Sequence, residues 1–303
     1  MIRKLALLVV LAAIVGGLAF WFLSAPKTLD ARSLAALPEG DAARGEMVFW
    51  AGGCASCHAA DDAEGDGKLM LGGGHVLSSD FGDFVVPNIS TDPERGIGAW
   101  SRQDFANAML RGVSPDGGHF YPSFPYTSYA RMKGEDLADL WAFMQTLPAV
   151  DNDPGPHRLG FPFNIRRGVG LWKLLYADDA WIAEIDETDE KLVRGRYLVE
   201  GLGHCGECHS PRDVAGGVKR DLWLAGAPNP DGEGRIPNIT SDGTIADWSE
   251  ADIAYYLESG FTPDFDSVGG SMVDVQENMA KLPASDREAI AAYLKAIPAH
   301  QGN

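Results

Sequence analysis

The chain has 303 residues, enough for two ordinary domains, and 45% of them are hydrophobic, so a folded protein is expected rather than a disordered one. Its formal net charge of −18 excludes nucleic acid as a natural partner, since phosphate binding needs clustered Lys and Arg. Acidity of this size favours solubility and steering toward basic patches on other proteins, or is a solvated surface and nothing more.

Arg3 and Lys4 precede an uncharged apolar run from Leu5 to Leu23. Nineteen helical residues at ~1.5 Å each span ~28 Å, close to the ~30 Å hydrocarbon core of a bilayer. A removable signal usually has a shorter apolar run and a small-x-small cleavage site, which Leu23-Ser24-Ala25 matches poorly. An uncleaved anchor over residues 1–25 is therefore expected over a cleaved signal. The basic residues then place the N-terminus in the cytoplasm and the remainder beyond the inner membrane, in the periplasm. Residues 26–40 read as a tether.

From residue 41 the sequence repeats itself once. Arg44-Gly45 returns as Arg194-Gly195, Pro87-Asn88-Ile89-Ser90 as Pro237-Asn238-Ile239-Thr240, and Trp100-Ser101 as Trp248-Ser249. Each of those serines is followed three residues later by Asp (Asp104, Asp252), the spacing of a capping box that opens a helix. A closing helix is expected over 135–147 and 285–297, with Ser285 and Glu288 again at capping-box spacing and Pro148 and Pro298 as stops. No strand pattern of useful length competes. The reading is all-α: a domain over 41–150, a second over 191–303, and between them a segment, 151–190, too rich in Phe, Trp and Leu to be a floppy linker.

The four cysteines fall in two copies of one motif, Cys54-Ala55-Ser56-Cys57-His58 and Cys205-Gly206-Glu207-Cys208-His209. C-x-x-C-H is the signature of covalent c-type haem attachment: two thiols one helical turn apart add to the vinyl groups, and the adjacent His ligates the iron. A thioredoxin-like redox pair would need a βαβ context, and structural zinc does not call for a His after each pair. Two haems are expected, with His58 and His209 as proximal ligands. Pro87 and Pro237 suit the role of carbonyl acceptors for the imidazoles' other N–H. Asn88 and Asn238 lie in glycosylation sequons, but their repetition beside the prolines points to packing at the haem edge; Trp100 and Trp248 read as haem-wall or core aromatics.

The sixth ligands differ between the halves. Met272, in a Gly-rich loop before the last helix, is the candidate in the second domain, preferred over Met279. Aligned on Gly112 and Gly260, its counterpart is Phe124, which cannot ligate iron, while Met109 and Met132 fall on core positions. His119 is the first remaining donor; His75 and an open site are the alternatives.

These strings together resemble the cytochrome c subunits of membrane-bound periplasmic dehydrogenases of the alcohol and gluconate type, over roughly 41–298. The resemblance rests on both haem motifs, Pro87-Asn88-Ile89, Ile97-Gly98-Ala99-Trp100-Ser101, Tyr121-Pro122-Ser123-Phe124-Pro125-Tyr126, the stretch from Phe161 to Trp172, and Arg194-Gly195-Arg196-Tyr197 through His204-Cys205. It implies two class-I-like cytochrome c domains in tandem and electron transfer from a dehydrogenase or quinol toward a cytochrome or terminal oxidase. Better-known members carry three haems and a Met at the place of Phe124. Nothing else in the chain forms a nucleophile–base pair, so the rival is an enzyme whose first haem is open to peroxide or a sulfur compound.

Overall fold

The computed structural model describes residues 1–229 and 234–300; the last three residues of the expected second domain lie outside the described residues. Each half is organised by one helix pair. The helix Ala42–Ala51 opens on Asp41, whose carboxylate accepts from the N–H groups of Ala43 and Arg44 at 2.9 and 3.1 Å. It crosses the closing helix Gly134–Met144. Glycine is required at that crossing: a Cβ on Gly45 would stand 2.0 Å from the Asp139 carbonyl oxygen. Arg44 then clamps the neighbouring helix through Asp139, with paired bonds of 2.7 and 2.8 Å.

The second half repeats the device. The helix Glu190–Arg196, capped by Asp189, crosses Ala284–Ala296 at Gly195, whose Cβ would lie 2.0 Å from the Ala289 carbonyl oxygen. Arg194 binds Asp286 at 2.9 and 2.6 Å. The helix runs on into a π-turn, Tyr197–Leu202, just before the second Cys motif. Such turns are rare and concentrate at functional sites.

Both capping boxes at Ser101/Asp104 and Ser249/Asp252 form, opening Arg102–Arg111 and Glu250–Ser259. The third does not: the last helix starts one residue earlier, after Pro283, which leaves Ser285 inside the first turn with no capping bond. The strictly all-α expectation also needs correcting. Val76–Ser79 and Gly82–Val85 form an antiparallel hairpin joined by Arg158–Leu159, and Ala227–Pro228 pairs with Arg235–Ile236. What stands is a globular part built on paired helices with short strands between them, behind an N-terminal apolar helix.

One hydrophobic core runs through both halves, from Phe49 and Leu140 to Tyr197, Leu198 and Tyr293. The intervening segment is part of it. Glu200, fully buried, accepts from the N–H groups of Ile182 and Ala183 at 2.6 and 2.9 Å and from the Tyr293 hydroxyl at 2.6 Å. Three donors satisfy a carboxylate that burial would otherwise strongly disfavour. Arg131, from the first half, reaches the Ala180 carbonyl at 2.6 Å.

The helix Ile2–Leu23 buries no side chain and is long and apolar enough to cross a membrane. Its end is fastened to the globular part. Ser24 is fully buried; its carbonyl oxygen accepts from His119 Nε2 at 2.9 Å and its hydroxyl from Arg167 Nε at 2.9 Å. Arg167 also donates to the Trp21 carbonyl at 2.7 Å and lies over the Trp21 ring.

Candidate haem-binding junction

Each Cys motif forms a single helical turn, Cys54–His58 and Gly206–His209, which puts the His at its C-terminal end. There the two histidines do the same thing: His58 Nδ1 donates to the Pro87 carbonyl and His209 Nδ1 to the Pro237 carbonyl, both at 2.8 Å. A carbonyl only accepts, so Nδ1 carries the proton and Nε2 keeps a bare lone pair. Burial pushes His58 down to about 4, against the opposing pull of the Pro87 carbonyl, and lowers His209 too. Both imidazoles are neutral at physiological pH. A neutral, oriented imidazole with a free Nε2 is what iron ligation needs.

The thiols fit haem attachment and not dithiol redox chemistry. Burial pushes Cys54 up to about 12, Cys57 up to about 11 and Cys205 up to about 12. A reactive C-x-x-C pair has a lowered thiol pKa. Among the described residues no cluster of three or more His, Cys, Asp or Glu is arranged to hold a metal ion directly, which disfavours the zinc reading.

The prolines are held by a device that the motif search passed over. Gly73 donates to the His58 carbonyl at 2.8 Å and Gly226 to the His209 carbonyl at 2.7 Å. Each has a left-handed backbone, φ +66 and +83, and each lies against the Pro-Asn segment it faces. The signal was present as Leu71-Gly72-Gly73 and Leu224-Ala225-Gly226, where Leu71 and Leu224 accept from Ile89 and Ile239, both at 3.0 Å. The amides of Asn88 and Asn238 hold their own loops. Asn88 donates to the carbonyls of Val150 and Asn152 at 2.7 and 3.0 Å, and Asn238 to that of His300 at 2.6 Å, tying each Pro loop to the chain beyond the closing helix. Their burial, at 4% and 9% exposure, removes the glycosylation reading. Trp100 and Trp248 are half-buried against Phe120 and Tyr256.

The repeat gave no hint that the two motifs would meet. Cys208 lies close enough to act electrostatically on the Cys57 thiol, raising it after burial does. The Gly52 carbonyl, two residues before Cys54, accepts from the Tyr129 hydroxyl at 2.7 Å and from His204 Nε2 at 3.3 Å, and His204 adjoins Cys205. The exchange is reciprocal. The helix Met272–Met279 crosses to the first motif, where Asn278 donates to Ser56 Oγ at 2.7 Å and Lys68 binds Asp274 at 3.2 Å. From the first half, Thr127 and Ser128 donate to Glu207 of the second motif at 3.1 and 3.3 Å.

Met272 is the first residue of that helix rather than a loop residue, and packs half-buried against the core; Met279, Met132 and Met109 are core. Phe124 stands in a group of rings, 5.7 Å from Phe120, 5.8 Å from Tyr129 and 6.2 Å from Tyr126. His119 is brought to Ser24, not to the first motif. Its neighbour Phe120 turns toward Trp100 and Phe124, so in this bridged, extended stretch His119 turns the other way. His75 binds Asp61 at 2.7 Å on the surface.

Two imidazole–thiol sites, half-buried except at the exposed Cys208 and joined by contacts between the halves, fit a protein that carries electrons on covalently held haem. The cytochrome c family model matches residues 42–148. A diheme cytochrome c-type protein of Cereibacter sphaeroides is 55% identical over 297 residues, covering 98% of this chain and 99% of that one. The fructose dehydrogenase cytochrome subunit of Gluconobacter japonicus is 35% identical, and the gluconate 2-dehydrogenase cytochrome c subunit of Pantoea cypripedii 32%. The chain spans 52% and 65% of those two subunits. This chain belongs to the dihaem c-type cytochromes. It binds c-type haem covalently and transfers electrons, and is not itself the catalytic subunit of an enzyme.

Proposed function

We propose that the chain is a membrane-anchored electron carrier of the periplasmic face, with two class-I-like cytochrome c domains in tandem at 41–150 and 191–303. Cys54 and Cys57 hold one haem and Cys205 and Cys208 the other, with His58 and His209 as proximal ligands and Met272 completing the second site. A haem held by these residues would supply one-electron ferric/ferrous chemistry, and the chain would tune its potential through the ligating side chains, their burial and their hydrogen bonds. The protein keeps each imidazole oriented and excludes water with the Trp100 and Phe124 clusters. His119 and His75 are engaged elsewhere, so the first iron takes neither. The partners that fit are a dehydrogenase or quinol-oxidising complex as donor and a cytochrome or oxidase as acceptor, in keeping with the dehydrogenase subunits among the relatives. The fastening of Ser24 by Arg167 and His119 supports a retained helix, because a cleaved signal would leave that site empty.

The observation that carries this reading is the shared junction between the two motifs. Its test is photoreduction of the oxidised protein at sub-stoichiometric electron dose. Equilibration between the haems should proceed at a rate independent of protein concentration. A rate proportional to concentration would mean that electrons pass between molecules, and the two sites are not a relay.

A further inference from the structure

The anchor helix leaves the globular part beside an unusual surface. From Pro154 to Ala177 the chain contains no Asp or Glu, although it has 43 of them in all, and that stretch carries Arg158, Arg166, Arg167 and Lys173. It also holds large apolar side chains in the open: Phe161 is 81% exposed and Leu175 74%, with Phe163, Ile165 and Leu174 near half. Val214, fully exposed, belongs to the loop that meets this stretch, where Trp172 donates to the Ala215 carbonyl at 2.9 Å.

The position of this surface relative to a bilayer follows from Ser24. A Cβ on Gly170 would lie 2.3 Å from the Ser24 carbonyl oxygen, so the helix Val169–Tyr176 touches the chain at the first residue after the apolar span. Leu174 and Leu175 follow Gly170 by four and five residues, ~6–8 Å along the helix axis. That is within the headgroup layer if the span crosses the hydrocarbon. Exposed apolar side chains with Arg166 and Arg167 beside them are the composition of an interfacial element, and those two charges complement anionic phospholipid; Arg158 is already paired with Asp83 at 3.1 Å. Lys173 is not part of the lipid contact: it is half-buried and donates to the carbonyls of Arg111 and Gly112, both at 2.7 Å.

We propose that the Pro154–Ala177 segment lies on the outer leaflet of the same bilayer, inserting Phe161 and Leu175 among the headgroups and holding the two haem domains at a fixed tilt. This rests on the anchored reading above. The occupant is the lipid surface itself, not a partner protein.

The test uses the full chain with both haems, in vesicles of phosphatidylcholine with phosphatidylglycerol. A nitroxide is placed at Leu175→Cys and, separately, at Tyr255→Cys, which lines a polar surface of ion pairs, Lys191 with Glu250 and Arg287 with Glu258; the native cysteines are occupied by haem. Collision with oxygen, which concentrates in lipid, is compared with collision with a water-soluble nickel chelate. The oxygen-to-nickel ratio at position 175 should exceed that at 255 at least threefold. Equal ratios would overturn the proposal, as would a rise at 175 that appears only when native membrane proteins are added. Intact mass of the same sample reports separately on the anchor: a chain beginning beyond Ser24 refutes retention, while the ratio still decides the surface.

Discussion

Gly73→Ala tests how far the Pro87 carbonyl governs the first haem. A Cβ there would meet the Pro87 carbonyl carbon and oxygen at 2.5 Å and the Val86 oxygen at 2.6 Å, in a backbone at φ +66. Left-handed backbone costs alanine about 1–2 kcal/mol and overpacking about 1–3 kcal/mol more. The backbone yields first, because a carbonyl is not the far end of a flexible side chain, and it carries the His58 acceptor away from its 2.8 Å contact. Such a bond is worth about 0.5–1.5 kcal/mol. It makes the imidazole a stronger donor, which favours ferric iron. Losing it should therefore raise the first haem's potential by up to roughly 60 mV, taking 59 mV per tenfold for one electron. Gly226→Ala is the internal comparison: its nearest contacts, at 2.8 Å, are to Asn238 N and the Ile236 oxygen, with the Pro237 carbonyl carbon at 3.1 Å, so the second haem should move less. Redox potentiometry with the haems resolved by EPR reads both. A fall or no change at the first haem in Gly73→Ala, in a protein that has lost stability, would refute the hydrogen-bond argument.

Three further outcomes follow from the same geometry. Burial raises the Asp139 pKa, but the Arg44 pair and the Asp41 N–H outweigh it and hold the carboxyl below its usual 3.8. A depressed folded pKa contributes stability that is present above the unfolded value and is lost as pH falls through the folded one. Arg44→Met should therefore move the acid unfolding midpoint, followed by circular dichroism, to higher pH and lower the stability of the neutral protein, by an amount that solvent screening of the exposed Arg44 keeps small. Met272→Leu should abolish the sulfur-to-iron absorption band and lower the second haem's potential while leaving the first unchanged; survival of the band would assign the ligand elsewhere. His119→Ala should leave the EPR signature of the first haem as it is, and a lost low-spin signal would return His119 to the iron.

Where local rules decide the structure, residues announced it. Ser101 and Asp104 carry their helix start in their own side chains, and Arg44-Gly45 implies a close crossing wherever it recurs. Ser285 had the right spacing, yet Pro283 presets the backbone two residues earlier and the helix forms without it. The Val76–Val85 hairpin was missed because its pairing is short and half-exposed, without a clean alternation. His119 illustrates a deeper limit. A repeat alignment compares each half with the other, so it showed Phe124 opposite Met272 and left His119 as the remaining donor, but could not show that Ser24, 95 residues earlier, uses that imidazole. The same holds for the crossing of Met272–Met279 onto Cys54–His58, which exists only between the halves.

The enclosed thiols also constrain the order of biogenesis. Protonated and crowded once the fold is complete, Cys54 and Cys205 are poor nucleophiles in the finished molecule, so their thioether bonds belong to an earlier moment. The chain provides one. Each motif emerges from translation and export about eighty residues ahead of the helix that closes its half, and the first motif waits longer still for Asn278 to cover Ser56. Loading before closure would reach thiols that burial has not yet raised, whereas in the folded chain Cys208 alone of the four is exposed.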